Sequence, residues 1–296
     1  MKFTYFGTAA AEGIPAIFCD CEICSQAREL RGKDLRARSQ VLLNDSIIID
    51  FPPDSSSNAQ RFGLNMASIQ NMLITHSHQD HFYPDDLVFR SYPFTSSALE
   101  TLHIYGNSSV KRVFEQATGK HKSSQNVLVE FHYVEPYKTF SIEDIEVTAL
   151  LANHAKDEDC YIYMIKQNGI CALYGNDTGL FPKDTYNFIN GKYFHFINLD
   201  CTMGTIKDGD YHMGIKDNLE LLKKLEGFGC FDEKSTVVIT HFSHNGGLLH
   251  NQLEEKVSQY GIITAFDGLE ITLKIDEFFK IQLTNQDLSK GLRNLN

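Results

Sequence analysis

Several features of membrane, fibrous or disulfide-stapled proteins are missing from this sequence of 296 residues, which also contains no tryptophan. No apolar run is long enough to span a bilayer. The opening segment, residues 1–13, lacks the long apolar stretch of a secretory signal peptide, so we expect the protein in the cytoplasm. Proline-rich linkers, low-complexity tracts and sequence repeats are also absent, which favours a single compact domain.

The sequence has fewer basic than acidic residues, and its cysteines are odd in number. The 27 Lys and Arg residues are outnumbered by 38 Asp and Glu residues, which gives a formal net charge of −11. A chain with this balance does not attract nucleic acid or anionic membranes through its overall field, so we expect neither an extended nucleic-acid surface nor a membrane partner. The 7 cysteines form an odd set, which does not suit a disulfide framework.

Short apolar runs rich in β-branched and aromatic residues recur along the chain, with helical patterns between some of them. The runs predict strands at residues 2–7, 40–43, 46–51, 71–75, 102–105, 127–134, 145–151, 161–166, 170–174, 194–199, 236–240 and 262–273. Helices are predicted at residues 55–62, 108–118, 183–190, 214–225 and 248–260. Many strands come in hairpin-like pairs while the helices are spread along the chain, so we predict an α/β (α+β) fold with two mixed sheets packed together and helices outside.

Four side chains that commonly bind metals follow the predicted strand 71–75. They are His76, His78, Asp80 and His81, spaced as H-x-H-x-D-H. A loop at a strand end can turn alternate side chains toward two neighbouring ions, so one pair would be His76 with His78 and the other Asp80 with His81. The alternative is a polar loop whose histidines only cap the strand. So many donors in so short a loop favour a divalent metal site.

This cluster resembles the signature of the metallo-β-lactamase superfamily of dinuclear metallohydrolases, whose fold is a four-layer αββα sandwich. Three later strand ends carry the residue types that the resemblance requires: His154, Asp177 and His241. The resemblance implies that His76, His78 and His154 hold one metal, that Asp80, His81 and His241 hold the other, that Asp177 bridges both, and that Asp50 supports the site without being a ligand.

A cysteine cluster narrows the resemblance. Residues 7–15 (GTAAAEGIP) precede Cys19, Cys21 and Cys24, and the pattern C-x-C-x-x-C is similar to that of the PhnP-type cyclic phosphodiesterases of phosphonate metabolism. That branch implies a structural zinc held by these cysteines and a later histidine, here His244, which together form a closed Cys3His shell. A disulfide is the alternative, but close neighbours make strained bridges and three thiols leave one unpaired. The remaining cysteines are predicted to be buried thiols: Cys160, Cys171, Cys201 and Cys230.

The resemblance also implies an activity. Five histidines and two aspartates without a thiolate suit zinc or manganese, and two such ions can lower the pKa of water to about 7. We therefore predict hydrolysis of a small cyclic phosphodiester, such as a ribose cyclic phosphate, by attack of metal-activated hydroxide. The departing alkoxide needs a proton, and His212 resembles the general acid of the family, although its neighbours depart from the family pattern.

Two other functions stay open at this point. A transfer-RNA processing endonuclease of the same superfamily would need an extended basic arm, and no Lys/Arg-rich insertion is visible. A carrier protein of the pyrroloquinoline-quinone biosynthesis type shares a similar cysteine cluster, but all seven ligand positions are filled here, as a working hydrolase requires. The resemblance also allows a homodimer. We divide the chain into a hydrolase domain, residues 1–273, and a C-terminal extension, residues 274–296, expected to be an appendage or an extra helix.

The other histidines are expected to be structural: His103, His132 and His195 lie within predicted strands, His121 lies in a polar loop, and His250 has no required role. An aromatic-rich insert, residues 82–94, directly follows the ligand loop. It would either form a pocket wall or pack against the core.

Overall fold

The computed structural model describes residues 1–96, 98–119 and 128–275, together with the backbone of 281–287. The helices are α1 (Glu22–Leu30), α2 (Ser55–Phe62), α3 (Ser108–Gly119), α4 (Lys183–Ile189), α5 (Ile215–Gly227) and α6 (His250–Val257). The strands are β1 (Lys2–Gly7), β2 (Gln40–Leu43), β3 (Ile47–Ile49), β4 (Asn71–Leu73), β5 (Leu102–Gly106), β6 (Val129–Tyr133), β7 (Thr139–Ile142), β8 (Ile145–Leu151), β9 (Tyr161–Gln167), β10 (Ile170–Gly175), β11 (Phe196–Asp200), β12 (Thr236–Thr240), β13 (Ile262–Thr264), β14 (Leu269–Ile275) and β15 (Ile281–Asp287).

The strands form two mixed sheets. One has the order β15-β14-β1-β2-β3-β4-β5-β6 and the other β13-β12-β11-β10-β9-β8-β7. Neighbours β3, β4, β5 and β6 are parallel, as are β10, β11, β12 and β13, whereas the hairpin-connected pairs are antiparallel. The predicted fold class, two packed mixed sheets with outer helices, is therefore confirmed.

The core lies mainly between the two sheets. Phe3 of β1 stacks on Phe196 of β11 with their ring centroids 4.4 Å apart, and both side chains are fully buried. On the outer face of the first sheet, a second apolar cluster includes Ile48, Met72 and Val110 of α3. Burial of large apolar side chains on both faces of a strand explains why several strands read as continuous apolar runs.

Helix α1, strand β7 and the segment 262–273 differ from expectation. Helix α1 and strand β7 were not predicted, because α1 begins in the cysteine segment and β7 is short and half polar. The single predicted strand 262–273 is wrong: it divides into β13 and β14, which belong to different sheets. The chain crosses between the sheets at Phe266–Gly268, where Gly268 has a φ of 96° and Asp267 is buried.

The C-terminal extension was expected to be an appendage or an extra helix. Its first residues continue β14 to Ile275, and Ile281–Asp287 pairs antiparallel with β14 as an edge strand, so the helix is wrong over this segment. A strand arises because the free edge of β14 offers backbone partners whatever the side-chain periodicity. The division at residue 273 stays a prediction, and His121 lies outside the described residues.

Candidate metal centre

Polar side chains from both sheets meet at one edge of the sandwich. His76 to His81 follow β4, Asp177 follows β10, and His241 follows β12. Parallel strands bring their carboxyl ends to the same edge, which is why residues far apart in sequence converge there. His154 arrives in the same way, three residues after β8.

One group of potential donors consists of His76, His78, His154 and Asp177. The Nε2 of His154 lies 3.2 Å from Nδ1 of His78, and its Nδ1 lies 3.3 Å from Oδ1 of Asp177. The Nε2 of His76 lies 3.3 Å from the other oxygen, Oδ2 of Asp177. Burial lowers the pKa of His154 to about 4, so this imidazole is neutral and has a lone pair to offer a metal.

The second group consists of Asp80, His81, Asp177 and His241. The Nε2 of His81 lies 3.3 Å from Asp80 Oδ2, 3.1 Å from Asp177 Oδ2 and 3.2 Å from Nε2 of His241. Asp177 thus belongs to both groups, in the position of a bridging carboxylate. Burial opposes its ionisation, but the histidines around it, His241 first, hold the pKa of Asp177 well below its usual range.

Two buried carboxylates orient histidines from behind. The Nδ1 of His81 donates to Oδ2 of Asp50 at 2.7 Å, and the backbone N–H of Thr75 donates to Oδ1 of the same group. On the other side, Oδ2 of Asp200 lies 3.2 Å from Nδ1 of His241. A carboxylate on Nδ1 fixes the tautomer and turns Nε2 toward the site, which raises the basicity of a metal ligand.

The backbone is strained at three of these positions. Asp50, Asp177 and His241 have φ values of 65°, 50° and 63°, in the left-handed region that non-glycine residues rarely adopt. Such residues cost about 1–3 kcal/mol each and persist where the surrounding structure enforces them, typically at functional sites. Each follows directly or closely on a buried strand, so the strain turns the chain out of the sheet and aims the side chain at the cluster.

The donor set fits divalent metal ions. The buried atoms Nε2 of His76 and Oδ1 of Asp177 have no hydrogen-bond partner among the described residues. An unpartnered buried polar atom costs about 1–3 kcal/mol, and a cation between these groups would satisfy both atoms. Imidazole and carboxylate are ligands for zinc and manganese. The structure thus brings all seven sequence-predicted ligands together, while ligation itself stays a prediction.

His212 lies at the rim of the same cluster, on the loop between β11 and α5. Its Nδ1 is 3.1 Å from Oδ1 of Asp177 and 3.5 Å from Oδ2 of Asp200, and the side chain is 25% exposed. Burial opposes protonation, but these two carboxylates outweigh it and raise the pKa of His212 to about 11. The imidazole is therefore placed to carry a proton into the site.

Close backbone packing positions the loop of His212. Gly179, two residues after Asp177, packs against residues 209 and 210, and a Cβ there would lie 2.4 Å from the carbonyl oxygen of Gly209. Only glycine allows the two loops to approach so closely. The loop that carries Asp177 therefore fixes the position of the loop that carries His212.

The cysteine cluster forms a second, separate group. Cys19, Cys21, Cys24 and His244 have donor atoms within 4.8 Å of one another, and all three cysteines are free thiols, so the disulfide alternative is wrong. The Sγ atoms of Cys19 and Cys21 lie 3.6 and 3.4 Å from Nδ1 of His244. The backbone N–H of Cys24, at the start of α1, and His244 lower the pKa of Cys21 to about 6, which favours the thiolate that zinc binds.

The remaining cysteines are buried free thiols, as predicted: Cys160, Cys171, Cys201 and Cys230. The aromatic insert follows both expected outcomes in part, since Phe82 is buried in the core whereas Tyr83 lines a cleft together with Asp80. The contact between Asp200 and His212 was not predicted from the sequence. The position of Asp200 at the end of β11 was the available signal.

The fold and the clustered histidines and aspartates define the class of the protein, a metallohydrolase. Residues 46–242, more than half of the chain, match the β-lactamase superfamily domain. The chain belongs to the metallo-β-lactamase superfamily of hydrolases, as its resemblance predicted.

Three of the solved structures that share the fold match almost the whole chain. They are a diphosphatase from the PhnP family (24% identity, 95% of this chain and 99% of that one, TM-score 0.71), Zn²⁺-bound PqqB from Methylobacterium extorquens (16%, 92% and 100%, 0.69) and the short form of human tRNase Z (16%, 92% and 99%, 0.65). A ribonuclease Z from Myxococcus xanthus is 26% identical over 152 residues, which is 50% of this chain but only 44% of that protein. These likenesses establish the fold and leave the substrate open.

Among the described helices, none is both long and apolar enough to cross a bilayer.

Proposed function

We propose that this protein is a metal-dependent phosphodiesterase that hydrolyses a small cyclic phosphate. The observation that carries the proposal is the pair of donor groups that share Asp177, with His212 Nδ1 only 3.1 Å from its Oδ1. This combination offers sites for two cations and, beside them, a histidine that can move a proton. A phosphodiester needs both, because its negative charge must be balanced and its leaving oxygen must be protonated.

The residues that would hold two divalent ions, zinc or manganese, are His76, His78 and His154 on one side, Asp80, His81 and His241 on the other, and Asp177 between them. When bound, such ions polarise a phosphoryl group and lower the pKa of water. Their charge also accounts for how a chain with a net charge of −11 would accept an anionic substrate.

His212 would protonate the leaving oxygen. Its Nδ1 faces the carboxylates of Asp177 and Asp200, so Nε2, which makes no hydrogen bond to the described residues, is the nitrogen that can give a proton to a substrate. Asp200 also lies against His241, and it would therefore hold the acid and one ligand in a fixed relation. Asp50 would do the same for His81 from the other sheet.

A cleft of about 320 Å³ beside the cluster supports a small substrate. Asp80 lines it, together with Arg38, Gln79 and Tyr83. Arg38 is anchored by Nε to the carbonyl oxygen of Ala11 at 2.7 Å and by Nη1 to Asp54 at 3.2 Å. A larger cavity of about 510 Å³ lies at the opposite ends of β8 and β10, away from the metal ligands. The cleft at Asp80 is thus the cavity suited to the substrate.

The proposal also covers the cysteine cluster, the cellular compartment and the partners of the protein. Cys19, Cys21, Cys24 and His244 would hold one structural zinc, and their free thiols suit a reducing compartment such as the cytoplasm. We propose a small phosphodiester as the partner of the protein, and neither an extended nucleic-acid surface nor a membrane partner. A homodimer is retained as part of the proposal.

Transfer-RNA processing is the second candidate, because the Myxococcus xanthus relative is a ribonuclease Z. That match covers half of this chain, and the balance of 27 basic against 38 acidic residues does not favour a long RNA substrate. A precursor transfer RNA is therefore included in the substrate panel.

Metal analysis coupled to a hydrolysis screen tests the proposal. Protein loaded with zinc or with manganese is assayed on cyclic phosphates, linear phosphodiesters, lactones, thioesters and a precursor transfer RNA. We expect two ions at the His/Asp centre, one at the cysteine cluster and the highest kcat/KM on a cyclic phosphate. A fully metallated sample without phosphodiesterase activity would contradict the proposal, and preferential cleavage of the transfer RNA would favour the second candidate.

A further inference from the structure

A third cluster of metal-binding side chains lies on the first sheet, away from the centre described above. His103 of β5 and Glu130 and His132 of β6 project from the same face of two adjacent parallel strands, with His103 paired in register with Glu130. His103 is also level with Asn71 of β4, five residues before His76. At 3.3 Å per residue this separates His103 from His76 by about 16 Å along the strand direction.

The three side chains converge. Nδ1 of His103 lies 2.9 Å from Nε2 of His132. The two carboxylate oxygens of Glu130 lie 3.7 Å from His103 Nδ1 and 3.9 Å from His132 Nε2. These last separations are too long for hydrogen bonds, so the carboxylate faces the imidazole pair without being bonded to it.

The separations are close to those of a tetrahedral metal shell. Ligand bonds of about 2.0–2.1 Å to zinc place neighbouring donor atoms about 3.3 Å apart. The two imidazole nitrogens would move apart by about 0.4 Å and the carboxylate would approach by a similar amount, which side-chain rotation alone can supply. The histidines are each 33% exposed, so the site is open to solvent and has room for a water as fourth ligand.

The His132 ring is held in place before any ion arrives. It stacks on Tyr105 of β5 with the ring centroids 4.6 Å apart and the planes 15° apart, and Tyr105 in turn stacks on Phe140 of β7. An imidazole that is already oriented is a prepared metal ligand.

We propose that His103, Glu130 and His132 form a divalent metal site, with zinc as the fitting ion, that ties the edge strand β6 to β5. The donors belong to two strands that are joined through α3 and the residues after it, so an ion there would stabilise the folded chain by linking them. The site is independent of the proposed hydrolytic function, because it shares no residue with the other two clusters.

Zinc binding to the fully metallated protein tests this site. Protein whose other sites are loaded is dialysed against free zinc, and the zinc content and thermal midpoint are compared with those of His132→Phe, which keeps a ring on Tyr105 but removes the nitrogen donors. We expect the wild-type protein to take up one more zinc ion than the variant and to show a larger rise in Tm with added zinc.

Two further variants keep the test decisive. His103→Gln, on the other strand, should lose the same ion if His132→Phe does not fold. Glu130→Gln should weaken zinc binding by about tenfold or more, whereas Glu135→Gln, an exposed change in the same segment that pairs with Lys138, should leave it unchanged. Equal zinc contents in the wild type and the folded histidine variants would overturn the site and leave the pair as a simple hydrogen bond.

Discussion

The two metal clusters that the sequence predicts are supported in different ways. The His/Asp centre is built from the ends of strands in both sheets, and its ligands are backed by the buried carboxylates of Asp50 and Asp200. The cysteine cluster is built from a loop, the start of α1 and one turn after β12, with Cys21 exposed to solvent. The first depends on the whole sandwich, while the second ties down a local segment. Chemistry needs fixed donors, whereas a structural ion can supply the rigidity itself.

Substitution of Asp177 should separate the two clusters most clearly. Asp177→Ala removes a donor from both groups of the His/Asp centre and should lower kcat/KM by at least about 10³-fold with loss of metal there, while zinc stays at the cysteines. Metal analysis and steady-state kinetics measure this. The exposed residue Asp184 gives the matched control, Asp184→Ala, which should behave as the wild type. Retained activity in Asp177→Ala would remove the bridging role.

Loss of the proton carried by His212 should have the next largest effect. His212→Gln should slow turnover of a cyclic phosphate with an alkoxide leaving group by about 10²–10⁴-fold, because the leaving oxygen then departs without a proton. A p-nitrophenyl diester, whose leaving group needs no proton, should be much less affected. Metal content should not change, since His212 contacts a ligand without being one of the seven. Equal losses on both substrates would argue against an acid role.

Loss of the cysteine cluster should lower the thermal stability of the protein more than its catalytic activity. Cys21→Ser should lose the separate zinc and lower Tm by several degrees, since the proposed ion would join residues 19–24 to His244. The His/Asp centre should keep its ions. Cys230→Ala, a buried thiol outside the cluster, is the control that should leave the zinc content unchanged. Full zinc retention in Cys21→Ser would refute the assignment.

The smallest effect concerns His250, a buried histidine at the start of α6. Burial, with the charges of Arg36 and Lys33, lowers the pKa of His250 from about 6.5 to about 3, and Nη2 of Arg36 donates to its Nδ1. Between these values the unfolded chain binds a proton that the folded chain rejects. Its contribution to stability is therefore complete above pH 6.5 and falls as the pH drops, by up to about 1.4 kcal/mol per pH unit.

Urea denaturation of the wild type and of His250→Gln at pH 7.0 and 5.5 measures that contribution. The glutamine cannot be protonated in this range, so the variant should lose less stability on acidification than the wild type. Identical pH dependence in the two proteins would remove His250 as the cause.

The donor residues were predictable from sequence because each stands just beyond an apolar run. The H-x-H-x-D-H loop and His241 after β12 carry that signal directly. The supporting contacts were not predictable, since the approach of Asp200 to His212 depends on how two loops pack. The left-handed backbone at Asp177 was not predictable either, because aspartate tolerates this conformation better than most residues but adopts it only where the surrounding structure enforces it.

The fold, like the site, was predictable from the sequence only in part. The strands β1, β8 and β12 were predicted with their observed bounds, since local periodicity marks them. The separation of β13 from β14 depends on which sheet offers each a partner, and β15 exists because β14 has a free edge. Pairing between distant segments is decided by the assembled sheets, and a local pattern does not record it.

His241 and His244 lie on one short turn, yet they serve different clusters. Hydrogen bonds hold the turn in place. The Phe242 backbone exchanges hydrogen bonds with Thr8 and Ala10, and within the turn the Ser243 hydroxyl accepts from the N–H of Asn245. Most surface loops accept extra residues at a small entropic cost. Here one inserted residue would turn one histidine away from its cluster. The three-residue step therefore acts as a fixed spacer, and its length must stay constant for both clusters to form.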